Sequence, residues 1–480
     1  MFSEAFSRSS LKVKETKMKK MLISTVVLGL ILTAGVSASA EEVISPVAGQ
    51  TDLTVRTSTS SIRNPRVFSL ANGSSLVTWQ EGSREGYFLK ARTVSINNRL
   101  GAVQTINSGV AESLDSGQGV QDTVAINRNG KVFAVWATLG TRYGVPSQTV
   151  WGRTSVDGVT WSKPYVIIPG LSLTGDLDRC QEDPTNTPSC GYVRIQAAID
   201  DKGRQAVLVA DNIQSTGNRF RMKASSFIGK WCNFKTLTTT PEFRSSEILG
   251  LTSGFMVSAT KYSPMTTNSV KTSYYSPKLE SWTNTSTAIA ISANTVITGH
   301  WVQRDTKNLT LAMASSNDVG GVSIRNYNVD TKTWSSDLIT LQEQEPNIVY
   351  PDLRAAKVGA DFVVMFTTYN QVDGAKEVRV SKVVGLTPTT TTIGTSVDQI
   401  DLLYAGSSLS NNAVIAYNEI MNGAKLGGIT EATLPTFIPN SATHSYLSAF
   451  IKTRADRVAG VGLKFGESTT AVIFTQGYLR

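Results

Sequence analysis

The sequence predicts an all-β fold, a β-propeller of seven to eight four-stranded blades over residues 63–480. Three observations carry that prediction. First, short apolar runs recur along the whole chain: Leu76-Val77-Thr78-Trp79, Val132-Phe133-Ala134-Val135-Trp136, Ala206-Val207-Leu208-Val209, Phe255-Met256-Val257, Leu309-Thr310-Leu311, Phe362-Val363-Val364-Met365-Phe366, Ala413-Val414-Ile415 and Ala471-Val472-Ile473-Phe474. Rich in β-branched and aromatic residues and bounded by Gly, Asn or Asp, they are signals of buried strands. Second, several follow a tight turn, Asn72-Gly73, Asn129-Gly130 or Lys202-Gly203, where Gly accepts the positive φ of a hairpin at little cost. Third, a Trp stands six residues after a small polar residue at Ser155/Trp161, Ser225/Trp231, Ser276/Trp282 and Asn328/Trp334, and the last three Trp are 51 and 52 residues apart. Alternating strands such as Phe88–Val94 and Glu377–Val383 complete a four-strand unit. A β-sandwich or β-helix is the structural alternative; the inner apolar strand and outer Trp favour the propeller.

The chain begins with a targeting signature. Met18-Lys19-Lys20 is basic, Met21–Leu32 is apolar and uncharged, and Ala38-Ser39-Ala40 offers small residues at a cleavage-like site. Residues 1–40 therefore read as an N-terminal signal region, with the signal peptide at about 18–40 and an uncleaved anchor as the alternative. The expected product is secreted, extracellular or at the cell surface, without a membrane span after cleavage. Residues 41–62 form an N-terminal segment in which Leu53–Thr57 reads as a strand. The last repeat stops after its second strand, so either this segment closes the propeller or the chain is truncated.

Composition narrows the function classes. The chain has 480 residues and a formal charge of +9, of which residues 41–480 keep 40 basic and 35 acidic side chains. No run of five or more Lys or Arg occurs there, which argues against a nucleic-acid surface. Two His and three Cys are too few for a His/Cys zinc centre, and no cofactor or metal is expected. A Ser-His-Asp enzyme would have to use His300 or His444. Export permits a disulfide between Cys180 and Cys190 across a polar loop with two prolines, leaving Cys232 as a buried free thiol. Asp176, Asp178, Glu182 and Asp183 near that loop read as solvated acids, with calcium binding as the lesser reading.

Ser155-Val156-Asp157-Gly158-Val159-Thr160-Trp161 resembles the Asp box, S-x-D-x-G-x-T-W, of sialidases and related secreted propellers, short by one residue between Asp and Gly. Asn328–Trp334 keeps Asp330, Thr333 and Trp334 of that pattern. Ile62-Arg63-Asn64-Pro65 is similar to the F/Y-R-I-P signature before the first sialidase blade, with Asn64 in place of the apolar residue. The resemblance implies a structural role for Ser155, Asp157, Gly158, Thr160 and Trp161. It also implies a carboxylate clamp of three Arg, a Tyr nucleophile and an acid. The acid/base Asp that the family places soon after Arg63 has no clear counterpart; the loop offers only Glu85.

In a propeller the start of each innermost strand rims the central channel. Those positions hold Arg63, Asp122, Arg194, Glu247, Tyr350, Asp352, Arg354 and Asp401. Arg63, Arg194 and Arg354 are the candidate anion-binding residues. If the chain is an enzyme of sialidase type, Tyr350 is the candidate nucleophile and Asp122 or Asp352 the acid. The expected function is a monomeric secreted propeller presenting a face to a glycan or cell-surface ligand, without catalysis; an exo-glycosidase acting on anionic sugars is the alternative, and a polysaccharide lyase or hydrolase a lesser one.

Overall fold

The computed structural model describes residues 51–478 apart from inter-strand segments, the longest of them 108–121 and 173–193. These residues belong to one compact unit, Ile44–Arg480; the other unit, Met1–Val43, lies outside the described residues together with Cys180 and Cys190. Every described element is an antiparallel strand, and no helix occurs among the described residues. The chain is a β-propeller whose described strands group into eight sheets.

The first sheet shows the plan: Ser61–Ser69, Ser75–Ser83, Gly86–Val94 and Gln104–Thr105 lie side by side in chain order. The next six sheets start at Asp122, Arg194, Phe243, Val296, Ile348 and Ile400 and repeat it with small variations. The eighth sheet departs. Tyr446–Arg454, Arg457–Phe465 and Thr470–Tyr478 follow in order, but its outermost strand is Thr51–Ser58, with Leu53 opposite Phe474.

Seven of the eight apolar runs are second strands; Ala471–Phe474 lies on the third strand of the last sheet, which begins at Tyr446 and so does not stop after its second strand as the repeat suggested. Their lack of alternation has a physical cause. Where their side chains are described, these strands are covered on both faces by neighbouring sheets, so both sets of side chains must be apolar. Val132, Ala134 and Trp136 pack with Leu76 and Leu89 of the first sheet, whereas Phe133 and Val135 pack with Val207 and Val209 of the third. The sixth sheet divides Phe362, Val364 and Phe366 from Val363 and Met365 in the same way. A last cluster joins Val461 and Phe474 to Val77 and Trp79, so the eighth sheet packs on the first. Each such side chain contributes roughly 1.5–3 kcal/mol on burial.

The turns between first and second strands carry Gly73, Gly130, Gly203 and Gly254, all at positive φ. At Gly130 a second constraint applies, because a Cβ there would meet the Ala71 nitrogen at 2.1 Å. A further stitch recurs on the third strands. Arg153 donates from Nε to the Ser162 carbonyl at 2.7 Å and from Nη1 to the Ile106 carbonyl of the preceding sheet at 2.6 Å. Arg325 does the same with Ser335 and Ala288, and Lys223 reaches the Ile167 carbonyl at 2.9 Å.

Candidate functional site

The Ser155–Trp161 turn sits between the third and fourth strands of its sheet. Asp157 Oδ1 accepts the N–H groups of Val159 at 2.8 Å and Thr160 at 2.7 Å, and Ser155 Oγ accepts that of Gly158 at 2.9 Å. Gly158 has φ +72° and packs so closely on Leu70 and Leu76 that a Cβ would lie 3.1 Å from each. Trp161 Nε1 donates to Gln104 of the first sheet at 2.8 Å, and Trp334 Nε1 reaches Ser286 of the fourth in the same manner. The turn fastens neighbouring sheets together.

The candidate clamp residues fall on inner strands of separate sheets. Arg63 is exposed and lies opposite Gln80, at a bulge where Asn64 takes φ 48°. That left-handed backbone suits Asn and would strain the apolar residue of the signature. Asp122 and Arg194 begin their strands opposite Trp136 and Ala210; their side chains lie outside the described residues, as does that of Asp401.

Tyr350 does not face an open site. It is 2% exposed, packs edge-on to Phe366 and donates its hydroxyl to the Glu343 carbonyl at 3.1 Å. Burial pushes that hydroxyl's pKa up, the wrong direction for a nucleophile. The position is a core position.

Four other side chains come together instead. Glu247, on Phe243–Gly250, turns toward the neighbouring inner strand Val296–Gln303, where the Trp301 N–H donates to its Oε2 at 3.1 Å. His300 Nε2 lies 3.7 Å from Glu247 Oε1. From the next sheet, Arg354 is near enough for its charge to act on Glu247, while its own Nη1 bonds Asp352 Oδ1 at 2.5 Å. Asp352 Oδ1 also accepts the Leu353 N–H at 2.8 Å. Burial pushes the Glu247 carboxyl up, partly offset by His300, the Trp301 N–H and Arg354. Position alone had marked Glu247, Asp352 and Arg354. His300 enters the sequence reading only as a histidine that a Ser-His-Asp enzyme would need, not as a rim residue; the available signal was a rare polar residue, one of two His, inside the strand Gly299-His300-Trp301.

No family model matches the chain, and neither does any curated protein sequence. Solved structures are similar to it at low identity. An α-L-arabinofuranosidase of Fusarium graminearum is 11% identical over 60% of this chain and 92% of its own, with a TM-score of 0.37. The NanB sialidase of Streptococcus pneumoniae is 11% identical over 76% of this chain and 67% of its own, at 0.36. A Dyadobacter fermentans protein of unknown function is 10% identical over 90% and 100%, at 0.42. Among the described residues, no group of three His, Cys, Asp or Glu could hold a metal ion, and no helix is long and apolar enough to cross a membrane.

Proposed function

We propose that this is an exported, monomeric β-propeller that binds a glycan or cell-surface ligand on its inner-strand face and does not catalyse its hydrolysis. Export rests on the segment at 18–40 and the Asp-box reading on the Ser155–Trp161 turn. The observation that carries the function is the pairing of an occupied centre with a sealed nucleophile. Glu247, His300 and Arg354 stand on three successive inner strands, with Asp352 just before the last, whereas the Tyr350 hydroxyl is buried against a carbonyl. Polar side chains converging at the ends of inner strands suit ligand recognition, and Arg354 already spends its Nη1 on Asp352 and the Leu353 carbonyl.

A second reading, an exo-glycosidase of sialidase type, has one observation in its favour. Glu247 is a carboxyl pushed up by burial, as a general acid needs. Hydrolysis of a fluorogenic sialoside separates the two. No turnover is expected; turnover that disappears in Tyr350→Phe would establish the enzyme and overturn the binding reading. The clamp is tested beside it. Arg63→Ala is expected to leave ligand binding unchanged, and an acidic sugar that binds the parent and loses tenfold in the variant would restore the three-Arg reading.

A further inference from the structure

Glu247, His300 and the Asp352–Arg354 pair come from the inner strands of the fourth, fifth and sixth sheets. We infer that they form a site for a neutral sugar, one of whose hydroxyl groups bridges Glu247 Oε1 and His300 Nε2. The inference rests on the glycan-binding reading and narrows its ligand to uncharged saccharides.

The spacing is the first argument. At 3.7 Å, Nε2 and Oε1 stand too far apart for a direct hydrogen bond. Glu247 Oε2 is held by the Trp301 N–H, so Oε1 is the atom left to receive a donor. His300 Nδ1 is enclosed and has no hydrogen-bond partner among the described residues. An enclosed N–H without an acceptor is the rarer and costlier orphan, so the imidazole proton belongs on Nε2, toward the carboxylate. The gap therefore offers one acceptor and one donor to the same atom. A hydroxyl satisfies both at once, donating to Oε1 while accepting from Nε2. A ligand carboxylate only accepts and an ammonium only donates, so neither fits.

Charge is the second argument. The guanidinium of Arg354 is matched by Asp352, and Glu247 adds a second carboxylate beside it. Among the described side chains here no surplus positive charge is left to draw in an acidic sugar, whose carboxylate would meet two of its own kind. Access is the third. Between a quarter and a third of each of the four side chains stays open, at 26% and 27% for Glu247 and His300 and 32% and 33% for Asp352 and Arg354. Burial that pushes the Glu247 carboxyl up fits a carboxylate short of donors in the free protein.

The test is calorimetric titration of the full-length chain with methyl glycosides of galactose, glucose, mannose and arabinose, and with N-acetylneuraminic acid as the acidic probe. One or more of the neutral glycosides is expected to bind, and Glu247→Gln and His300→Phe should each weaken it tenfold or more. Circular dichroism checks folding; if His300→Phe does not fold, the near-isosteric Glu247→Gln decides. A spectroscopic readout is also at hand. The chain has two His, so the resonances lost in His300→Phe identify the His300 ring, and the sugar should shift them. Neutral glycosides that bind both variants as tightly as the parent would overturn the site while the glycan-binding reading stands. Preference for N-acetylneuraminic acid would overturn the ligand class. Failure of every saccharide would remove the broader reading with it.

Discussion

Asp157 is the residue at which a single carboxylate fixes a turn. Burial works against its charge, but the Thr160 and Val159 N–H groups and the Ser155 hydroxyl outweigh that and hold the carboxyl at about 2. A folded pKa below the unfolded value of about 3.9 means stability that is fully present above pH 4. It is lost as pH falls through the folded value, so the window is pH 4 to 2. Asp157→Ala should lower the thermal midpoint at pH 7 by ~1–2 °C, and its gap from the parent should close across that window. A gap that stays constant from pH 7 to 2 would show that the carboxylate charge is idle. Tyr350→Phe removes one hydrogen bond to the Glu343 carbonyl and should cost about 1 kcal/mol in chemical denaturation, with ligand binding unchanged. The two residues also show how far single positions can be read. Asp157 acts within five residues of itself, so its role was visible in the motif. Tyr350 shares the rim position of Asp352 and Arg354, but which of them turns inward depends on the sheet it packs against.

At the scale of elements, the strand Thr51–Ser58 is held by the same device as the other outer strands. Arg92 donates from Nε to the Gly101 carbonyl of its own sheet at 2.6 Å and from Nη1 to the Val55 carbonyl at 2.5 Å, repeating the stitches of Arg153 and Arg325. Arg56 adds an ion pair, with Nη2 2.6 Å from Glu81 Oε1, and Trp79 Nε1 donates to Glu81 Oε2 at 3.0 Å. Burial of Glu81 opposes its charge, and the bonds from Arg56, Trp79 and Ser58 more than offset this, so its pKa is lowered. Arg56→Ala strands that carboxylate and should destabilise by ~1.5–3 kcal/mol, half-exposure of the Arg being the reason for a modest figure. Adding Glu81→Gln should recover part of the loss, and a double variant as unstable as the sum of the singles would show that the two side chains do not interact. Strands and Gly turns were legible because second strands, apolar on both faces, and left-handed turns each impose a local composition. The third-strand Arg stitches were not, since a basic residue on an alternating strand looks like any solvent-facing one until the neighbouring sheet is in place. His300 was hidden for the same reason: its partner Glu247 stands on another sheet.

Over the whole molecule, the eighth sheet joins the two ends of the described chain, and its closure draws on the longest sequence separation in the fold. Loop-closure entropy rises only with the logarithm of length, so bringing such distant strands together costs about 5 kcal/mol. Val55 is fully buried in the cluster that joins the eighth sheet to the first. Its burial, the ladder from Thr51 opposite Gln476 to Ser58 opposite Thr470, and the Arg56–Glu81 pair all act against that cost. Removal of residues 51–58 should therefore leave the other seven sheets formed but lower the thermal midpoint and expose apolar surface that binds a hydrophobic dye. Because the strand is tethered, its effective concentration is high, on the order of millimolar for a flexible link. The same eight residues supplied as a separate peptide should restore the midpoint only when present at comparable concentration. Restoration at micromolar peptide would mean the docked strand is far more tightly bound than its ladder, the Arg92 bond, the Arg56–Glu81 pair and the burial of Val55 account for. A midpoint unchanged by the deletion would mean that the eighth sheet holds without its outer strand, and that closure between the chain's two ends contributes nothing to stability.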